Sequence, residues 1–255
     1  MSADARSGRI QAAVIVACGG RGSRFRDGAE HTGISDATPE KQFLEIAGKP
    51  VLSHTLDVIE NHPRVSKIIL VLPLEALDRG KRLVSGQWPP SGPYTKVKAI
   101  IAGGENRQES VAKGLAELEQ TGWDGPVLVH DGVRPCASAR VYDRVIDGVL
   151  SNGNAIAAIP LRDTIKKADG NRRVSETLSR EGLWLIQTPQ GFWARELIEA
   201  YDEGKKRGLQ VTDDASLLEA LGRAVYLVDG DPINIKLTYK EDMAIIEAIL
   251  MRVLY

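Results

Sequence analysis

Short apolar runs recur along the chain, and between them apolar residues return at every third or fourth position. Ala12–Cys18, Lys67–Leu72, Val97–Ile101, Val127–His130 and Ala155–Ile159 have the length and β-branched content of buried strands. Ser53–Asn61, with Leu52, Leu56 and Ile59 on one face, reads as a helix. So do Leu74–Ser85, a stretch carrying Val111, Leu115 and Leu118, and Ala139–Leu150. Phe25–Thr38 is polar, contains Gly28 and Gly33, and reads as a mobile loop. Gly86–Pro93 is a breaker-rich connection. Strands alternating with helices predict an α/β fold: a Rossmann-like, mostly parallel sheet with helices on both faces.

The rhythm breaks between Pro160 and Gly182. Two β-prone polar segments, Arg162–Lys167 and Arg173–Leu178, flank Asp169-Gly170, which is a hairpin signal. No helix covers this pair, so a projecting β-hairpin arm over about 160–182 is expected; a surface hairpin without a role is the plainer alternative. The α/β pattern resumes with a strand at Leu183–Gln187 and a helix at Trp193–Arg207. Another helix follows Thr212-Asp213-Asp214, with Thr212 suited to its N-cap. Ala224–Val228 and Asn234–Thr238 look like strands, and Lys240–Val253 is a closing helix. With no repeat and no long linker, residues 1–255 are read as one domain, the arm being its only subdomain.

Composition narrows the function. The chain has 255 residues, 43% of them hydrophobic and 26% charged, which is enough for a sizeable core. The net charge of −1 gives no general attraction to nucleic acid or a membrane surface, so an anionic ligand must be held by local basic residues. The first apolar run is too short to span a bilayer and ends in glycines rather than a cleavage signal. Cys18 and Cys136 are far apart and are read as reduced thiols in a cytoplasmic protein. His31, His54, His62 and His130 form no ligand pair and read as surface or satisfied core histidines.

The first strand runs into Gly19-Gly20-Arg21-Gly22-Ser23-Arg24, where glycines let backbone N–H groups approach an anion closely. The triphosphatase P-loop is excluded, because no Gly-Lys pair precedes a Ser or Thr here. The dinucleotide fingerprint is excluded by Phe25 at the third glycine position. The loops after Cys18, Ile101 and His130 fall at carboxyl ends of strands, where such sheets bind ligands. Asp131, just past a strand end, is suited to hold Mg²⁺ on phosphate oxygens. A turn or N-cap role for it is disfavoured by Arg134 nearby, and Asp231 is a candidate second ligand.

Six stretches, taken in order, resemble the cytidylyltransferases that make CDP-methylerythritol in isoprenoid synthesis by the non-mevalonate route. They are Gly20-Arg21-Gly22-Ser23-Arg24; Lys41-Gln42-Phe43; Gly103-Gly104 with Arg107 and Ser110-Val111; Val129-His130-Asp131 with Arg134-Pro135; Thr188-Pro189-Gln190; and Thr212-Asp213-Asp214-Ala215-Ser216. Asn234-Ile235-Lys236-Leu237-Thr238 is a seventh. The resemblance implies that 2-C-methyl-D-erythritol 4-phosphate attacks the α-phosphorus of CTP and pyrophosphate leaves. Arg24 and Lys41 match the family's transition-state stabilisers, with Arg180 and Lys236 counted beside them as catalytic. Ala17, Cys18, Gly19, Gly20, Gly22, Gly104, Glu105, Arg107, Ser110, Asp131 and Gly132 match the CTP site. Arg134, Thr164, Arg180, Thr188, Thr212 and Lys236 match the acceptor site, and Asp131 the metal site. The family also implies a homodimer formed through the arm, with Arg180 reaching the neighbouring subunit's acceptor phosphate.

Two features depart from the family. The segment Arg26–Thr38 is long, and the usual Pro-Lys-Gln is here Pro39-Glu40-Lys41-Gln42. Two other readings remain beside this one: CMP transfer to ribitol 5-phosphate, and a non-catalytic nucleotide-binding subunit. Intact Arg24, Lys41, Asp131 and Lys236 argue against the second.

Overall fold

The computed structural model describes residues 10–18, 40–88 and 90–253, for Val253 the backbone alone. The glycine loop with Gly19, Gly20, Gly22 and Arg24, and the long loop 25–38, lie outside the described residues.

Strand β1 (Ala12–Ala17) is followed by the short pair β2 (Glu45–Ile46) and β3 (Lys49–Pro50) and by helix α1 (Val51–Asn61). Then come β4 (Val65–Leu72), α2 (Leu77–Val84), β5 (Val97–Ala102), α3 (Arg107–Gln120), β6 (Pro126–Asp131), α4 (Ala139–Asn152) and β7 (Asn154–Pro160). The arm is the hairpin of β8 (Ile165–Ala168) and β9 (Val174–Leu178). β10 (Trp184–Trp193), α5 (Ala194–Lys206), α6 (Ala215–Ala220), β11 (Leu227–Asp229) and α7 (Asp242–Val253) complete the chain.

Seven strands form one sheet in the order β11-β7-β10-β6-β1-β4-β5. All its pairings are parallel except those of β10, which runs against both β6 and β7. Every residue of β1 and β6 is buried, as a continuous apolar run in a sheet covered on both faces requires. One face packs on α1 and α4 through Leu52, Leu56, Ile59, Tyr142 and Val145. The other packs on α3 and α5 through Val111, Leu115, Leu118 and Leu197. A third, smaller cluster of Val133, Cys136, Leu237, Ile246 and Leu250 seats α7 against the loops that follow β6 and β11. Fully burying a residue such as Leu52 contributes about 1.5–3 kcal/mol, so these faces hold the sheet edge rigid where its loops emerge.

Four expectations need correction. Asn234–Thr238 joins no sheet; it is an extended segment pinned by Leu237, fully buried, whose N–H donates to Val133 O at 2.9 Å. The strand expected at Leu183–Gln187 continues through Pro189 to Trp193, because Gln190, Gly191 and Phe192 pair with both neighbours. Thr212 is not the N-cap of α6: Asp214 occupies that position, and Asp213 accepts from Ser216 N at 3.3 Å. The predicted helix Leu74–Ser85 is a 3-10 turn, Leu74–Ala76, followed by α2. In the arm, the reversal is wider than a two-residue Asp-Gly turn. Asp169 Oδ1 accepts from Asn171 N and Arg173 N, both at 2.9 Å, and Arg172 takes the left-handed φ of 61°.

Candidate active site

The carboxyl ends of β1, β5 and β6 carry Cys18, Gly103 and Asp131 to the same edge of the sheet. Asp131 is 5% exposed and is the centre of an ion network. Its Oδ1 accepts from Arg107 Nε at 3.1 Å, and its Oδ2 lies 2.8 Å from Lys236 Nζ. Arg134 Nε stands 3.5 Å from the same oxygen, an ion pair rather than a hydrogen bond. Arg107 continues to a second carboxylate, donating from Nη2 to Asp214 Oδ2 at 2.7 Å. Asp214, fully buried, accepts also from Tyr201 Oη at 2.6 Å. Burial alone would raise the Asp131 carboxyl; Arg107, then Lys236 and Arg134, hold it well below the usual carboxylate range. Burial disfavours the charge on Arg107 too, and Asp214 and Asp131 overcome it, so that the guanidinium stays ionised.

Three cations thus face two carboxylates, and Lys41 joins them. Its Nζ donates to Leu237 O at 3.2 Å, one residue from Lys236. Cations clustered around one carboxylate at a partly desolvated strand edge are suited to a polyanion. The neighbouring titratable groups are not proton carriers. Burial pushes the His130 imidazole down to about 3 and raises the Cys18 thiol above its ordinary value, so neither is a base or a nucleophile near neutral pH. An open cleft of about 400 Å³ is lined by Arg107, Asp131, Arg134 and Lys236 on one side and by Thr188, Gln190, Thr212 and Asp213 on the other.

β10 builds the second wall. Gln190 Oε1 accepts from Asp214 N and Ala215 N, each at 3.2 Å, and Gln190 Nε2 donates to Asp213 Oδ2 at 2.8 Å, which docks the start of α6. Gln187 exchanges hydrogen bonds with the backbone of Asp231, and its Oε1 also accepts from Asn234 Nδ2 at 3.2 Å. Asn234 in turn donates to Thr188 O at 2.8 Å. One strand therefore fixes both the segment bearing Thr212 and the segment bearing Lys236.

The sequence profile of the 2-C-methyl-D-erythritol 4-phosphate cytidylyltransferase (IspD) family matches residues 12–252. The chain belongs to this family. It is 39% identical over 236 residues to the enzyme of that name from Geobacillus kaustophilus, covering 92% of this chain and 95% of the relative. It is 38% identical over 240 residues to the one from Syntrophus aciditrophicus, covering 93% and 95%. The crystal structure of 4-diphosphocytidyl-2C-methyl-D-erythritol synthase from Anaerococcus prevotii superimposes with a TM-score of 0.75 at 28% identity, over 96% of this chain and all of that one (100%).

The residues that match the IspD motifs separate into three groups. Arg107, Asp131, Arg134, Thr188, Thr212 and Lys236 line the cleft. Thr188 is also an anchor: its Oγ1 accepts from Asp131 N at 3.0 Å. A second group shapes the loops. Gly104 N donates to Ser110 Oγ at 3.0 Å, Ser110 Oγ donates to Asn106 O at 2.8 Å, and Glu105 N donates to Glu109 Oε2 at 3.0 Å. Asn106 caps α3 by accepting from Glu109 N at 2.8 Å while Glu109 reaches back, a reciprocal cap that fixes the turn. Gly132 N donates to Ala17 O at 3.1 Å, and a Cβ at Gly132 would crowd the Cys18 side chain, so the turn after β6 packs closely on the end of β1. The third group stands apart: Thr164 and Arg180 are exposed on the arm, and Arg180 donates to the carbonyl of Arg162.

The sequence places Asp214 at a helix terminus and within the Thr212–Ser216 stretch but gives it no site role, and it gives no sign of Tyr201. The bond from Arg107 to Asp214 spans 107 positions of chain, a separation no local spacing reveals, and Tyr201 enters only through Asp214. Asp231, the candidate second metal ligand, instead closes its own turn, accepting from Ile233 N at 3.0 Å. Among the described residues no three His, Cys, Asp or Glu side chains form a metal cluster. A single ionised carboxylate does fit magnesium, which binds one or two carboxylates together with substrate phosphate oxygens.

Proposed function

We infer that this chain transfers the cytidylyl group of CTP to 2-C-methyl-D-erythritol 4-phosphate, releasing pyrophosphate and forming CDP-methylerythritol in isoprenoid precursor synthesis. Membership of the IspD family supports the reaction, and the cation cluster around Asp131 is the observation that supports its placement in this cleft. A phosphate monoester is largely dianionic at neutral pH, with a second pKa of about 6, so the attacking oxygen needs no base. The requirement is charge neutralisation and in-line positioning. Lys41 and Lys236 supply ammonium groups beside the reacting phosphates, and Arg24, outside the described residues, a further cation. Arg134, Thr188 and Thr212 stand where the acceptor would lie. The Gly104-Glu105 turn, Ser110, Ala17, Cys18 and Gly132 bound the nucleotide side. Asp131 would hold Mg²⁺ with the triphosphate oxygens; when bound, that ion supplies neutralisation of charge on the leaving pyrophosphate.

The cleft has no contribution from Thr164 or Arg180 in a single chain. Val174 is 55% exposed on the arm, and Trp184, Leu185 and Ile186 are exposed at its foot. These features support a homodimer in which each arm delivers Arg180 to the other subunit's acceptor. No helix among the described residues is long and apolar enough to cross a membrane, and a cytoplasmic location accords with the substrates. Pyrophosphate release with CTP and each acceptor tests the reading. We expect turnover with methylerythritol 4-phosphate; turnover with ribitol 5-phosphate alone would reassign the acceptor, and CTP binding without release would indicate a non-catalytic subunit.

A further inference from the structure

Glu40 immediately precedes Lys41, and a carboxylate beside that lysine would neutralise the charge meant for a triphosphate. The fold turns it away. Arg79, on α2, donates from Nη1 to Glu40 Oε2 at 3.2 Å. The same guanidinium carbon lies 4.6 Å from the centre of the Phe43 ring and 5.5 Å from that of Trp88. Phe43 and Trp88 stack on each other at 5.7 Å with their planes 9° apart, and Phe43 is buried in the main core.

One side chain therefore grips both ends of the 3-10 turn Lys41–Phe43: the carboxylate before it and the ring that closes it. Among the described residues the turn has no side-chain cap, and two backbone bonds define it, Phe43 N to Glu40 O at 2.8 Å and Leu44 N to Lys41 O at 3.3 Å. Burial raises the Glu40 carboxyl, Arg79 opposes this and Glu75 adds to it; both charges lie on the α2 side of the turn. None of this cassette touches the cleft, so sequence motifs give Arg79 no role.

We propose that Arg79 is a positioning residue for cytidylyl transfer: paired with Glu40 and stacked on Phe43 and Trp88, it keeps the Glu40 carboxylate from competing with the substrate phosphates for Lys41. The proposal rests on the cytidylyltransferase reading above. Glu40 is then a liability held in check, and removing Arg79 is harmful chiefly because it frees Glu40.

The test is a double-mutant cycle on the full chain. Arg79→Ala should lower kcat about tenfold or more and weaken CTP binding. Glu40→Gln alone should change kcat by less than about threefold, and Glu40→Gln in the Arg79→Ala background should restore it to within about threefold of wild type. Arg79→Lys, which keeps the charge but loses the flat stack, should fall between Arg79→Ala and wild type. A double variant as slow as Arg79→Ala would reduce Arg79 to packing and overturn the proposal, as would full activity of Arg79→Ala. If Arg79→Ala does not fold, Arg79→Gln with and without Glu40→Gln gives the same comparison. CTP affinity by titration calorimetry is read in parallel and needs no acceptor. An inactive wild type would therefore fail the functional reading, while the recovery or loss of CTP affinity across the cycle would still decide the role of Arg79.

Discussion

At the cleft, Arg107, Arg134 and Lys236 are packed around a carboxylate that is 5% exposed; on the arm, Arg162, Arg172, Arg173 and Arg180 stand in solvent. The two regions carry the same kind of side chain under opposite dielectric conditions. Charges taken out of water must be matched partner by partner, and a matched cluster holds its geometry because losing any member leaves another unpaired. Solvated charges cost little and fix little; their orientation is set by whatever they meet. The cleft is thus preorganised within one chain, whereas the arm has no such matched partners among the described residues, and the proposed dimer would be what gives it them.

The largest effect expected from this difference is at Asp131. Asp131→Asn should leave three cations without their common partner, lowering turnover by about a hundredfold or more and stability by about 3–5 kcal/mol. Pyrophosphate release and urea unfolding measure the two losses. A variant with normal stability would show that the network is looser than its distances say.

Next in size is a test of the shared site. Arg180→Ala and Lys41→Ala should each be nearly inactive alone. If Arg180 acts across the dimer, mixed dimers hold one site with both defects and one with neither, and random exchange should restore about a quarter of wild-type activity in a symmetric pair. Absence of recovery after verified exchange would return Arg180 to its own subunit and sever the arm from the mechanism.

The regions should also differ in their response to acid. His130 is buried and neutral in the folded chain, its value about 3, while the unfolded chain takes up the proton below about 6.5. Its depressed value makes acid favour unfolding: between pH 7.5 and pH 5 it should remove about 2 kcal/mol of stability. The arm, residues 160–182, contains no histidine and adds nothing to this slope. Urea unfolding of wild type and His130→Gln at the two pH values should show the difference shrinking by that amount. The smallest effect belongs to the arm itself: Val174→Ser, at an exposed position, should change the unfolding free energy by less than about 0.5 kcal/mol. A larger loss at protein concentrations where the chain is dimeric, absent on dilution, would place Val174 in the interface.

The strands β1, β4, β6 and β7 were legible because most of their residues are buried and carry apolar runs, and the edge strand β5, half-buried throughout except at Lys98, was legible from its Ala99–Ala102 run. β10 was only half legible. Its Thr188-Pro189-Gln190 reads as a break, yet neighbours on both sides supply enough pairing to carry the strand through, with a register shift between Ile186 and Gln190. Asn234–Thr238 has a strand's alternation, but its alternating apolar residues face a small core of loops and α7 rather than a sheet. Of the site, the residues at strand ends could be read from sequence, since topology places them there whatever the side chains do. Asp214 stands in a recognised stretch, yet its bond to Arg107 is remote in sequence and could not be read; Tyr201 and Arg79 could not be read at all, since each acts on a motif residue from far along the chain and a lone tyrosine or arginine carries no local pattern.

β10 has a mechanical consequence. It is a continuous strand of ten residues, about 30 Å from end to end, exposed at Trp184, Leu185 and Ile186 beside the arm and buried from Gln187 to Phe192. No loop interrupts it between the foot of the arm and Thr188, on whose hydroxyl the Asp131 N–H rests. The arm is in this sense a cantilever built into the cleft wall. In the proposed dimer, gripping it would brace Thr188 and the carboxylate behind it, and assembly and alignment of the reacting groups would be a single stiffening event carried by one beam.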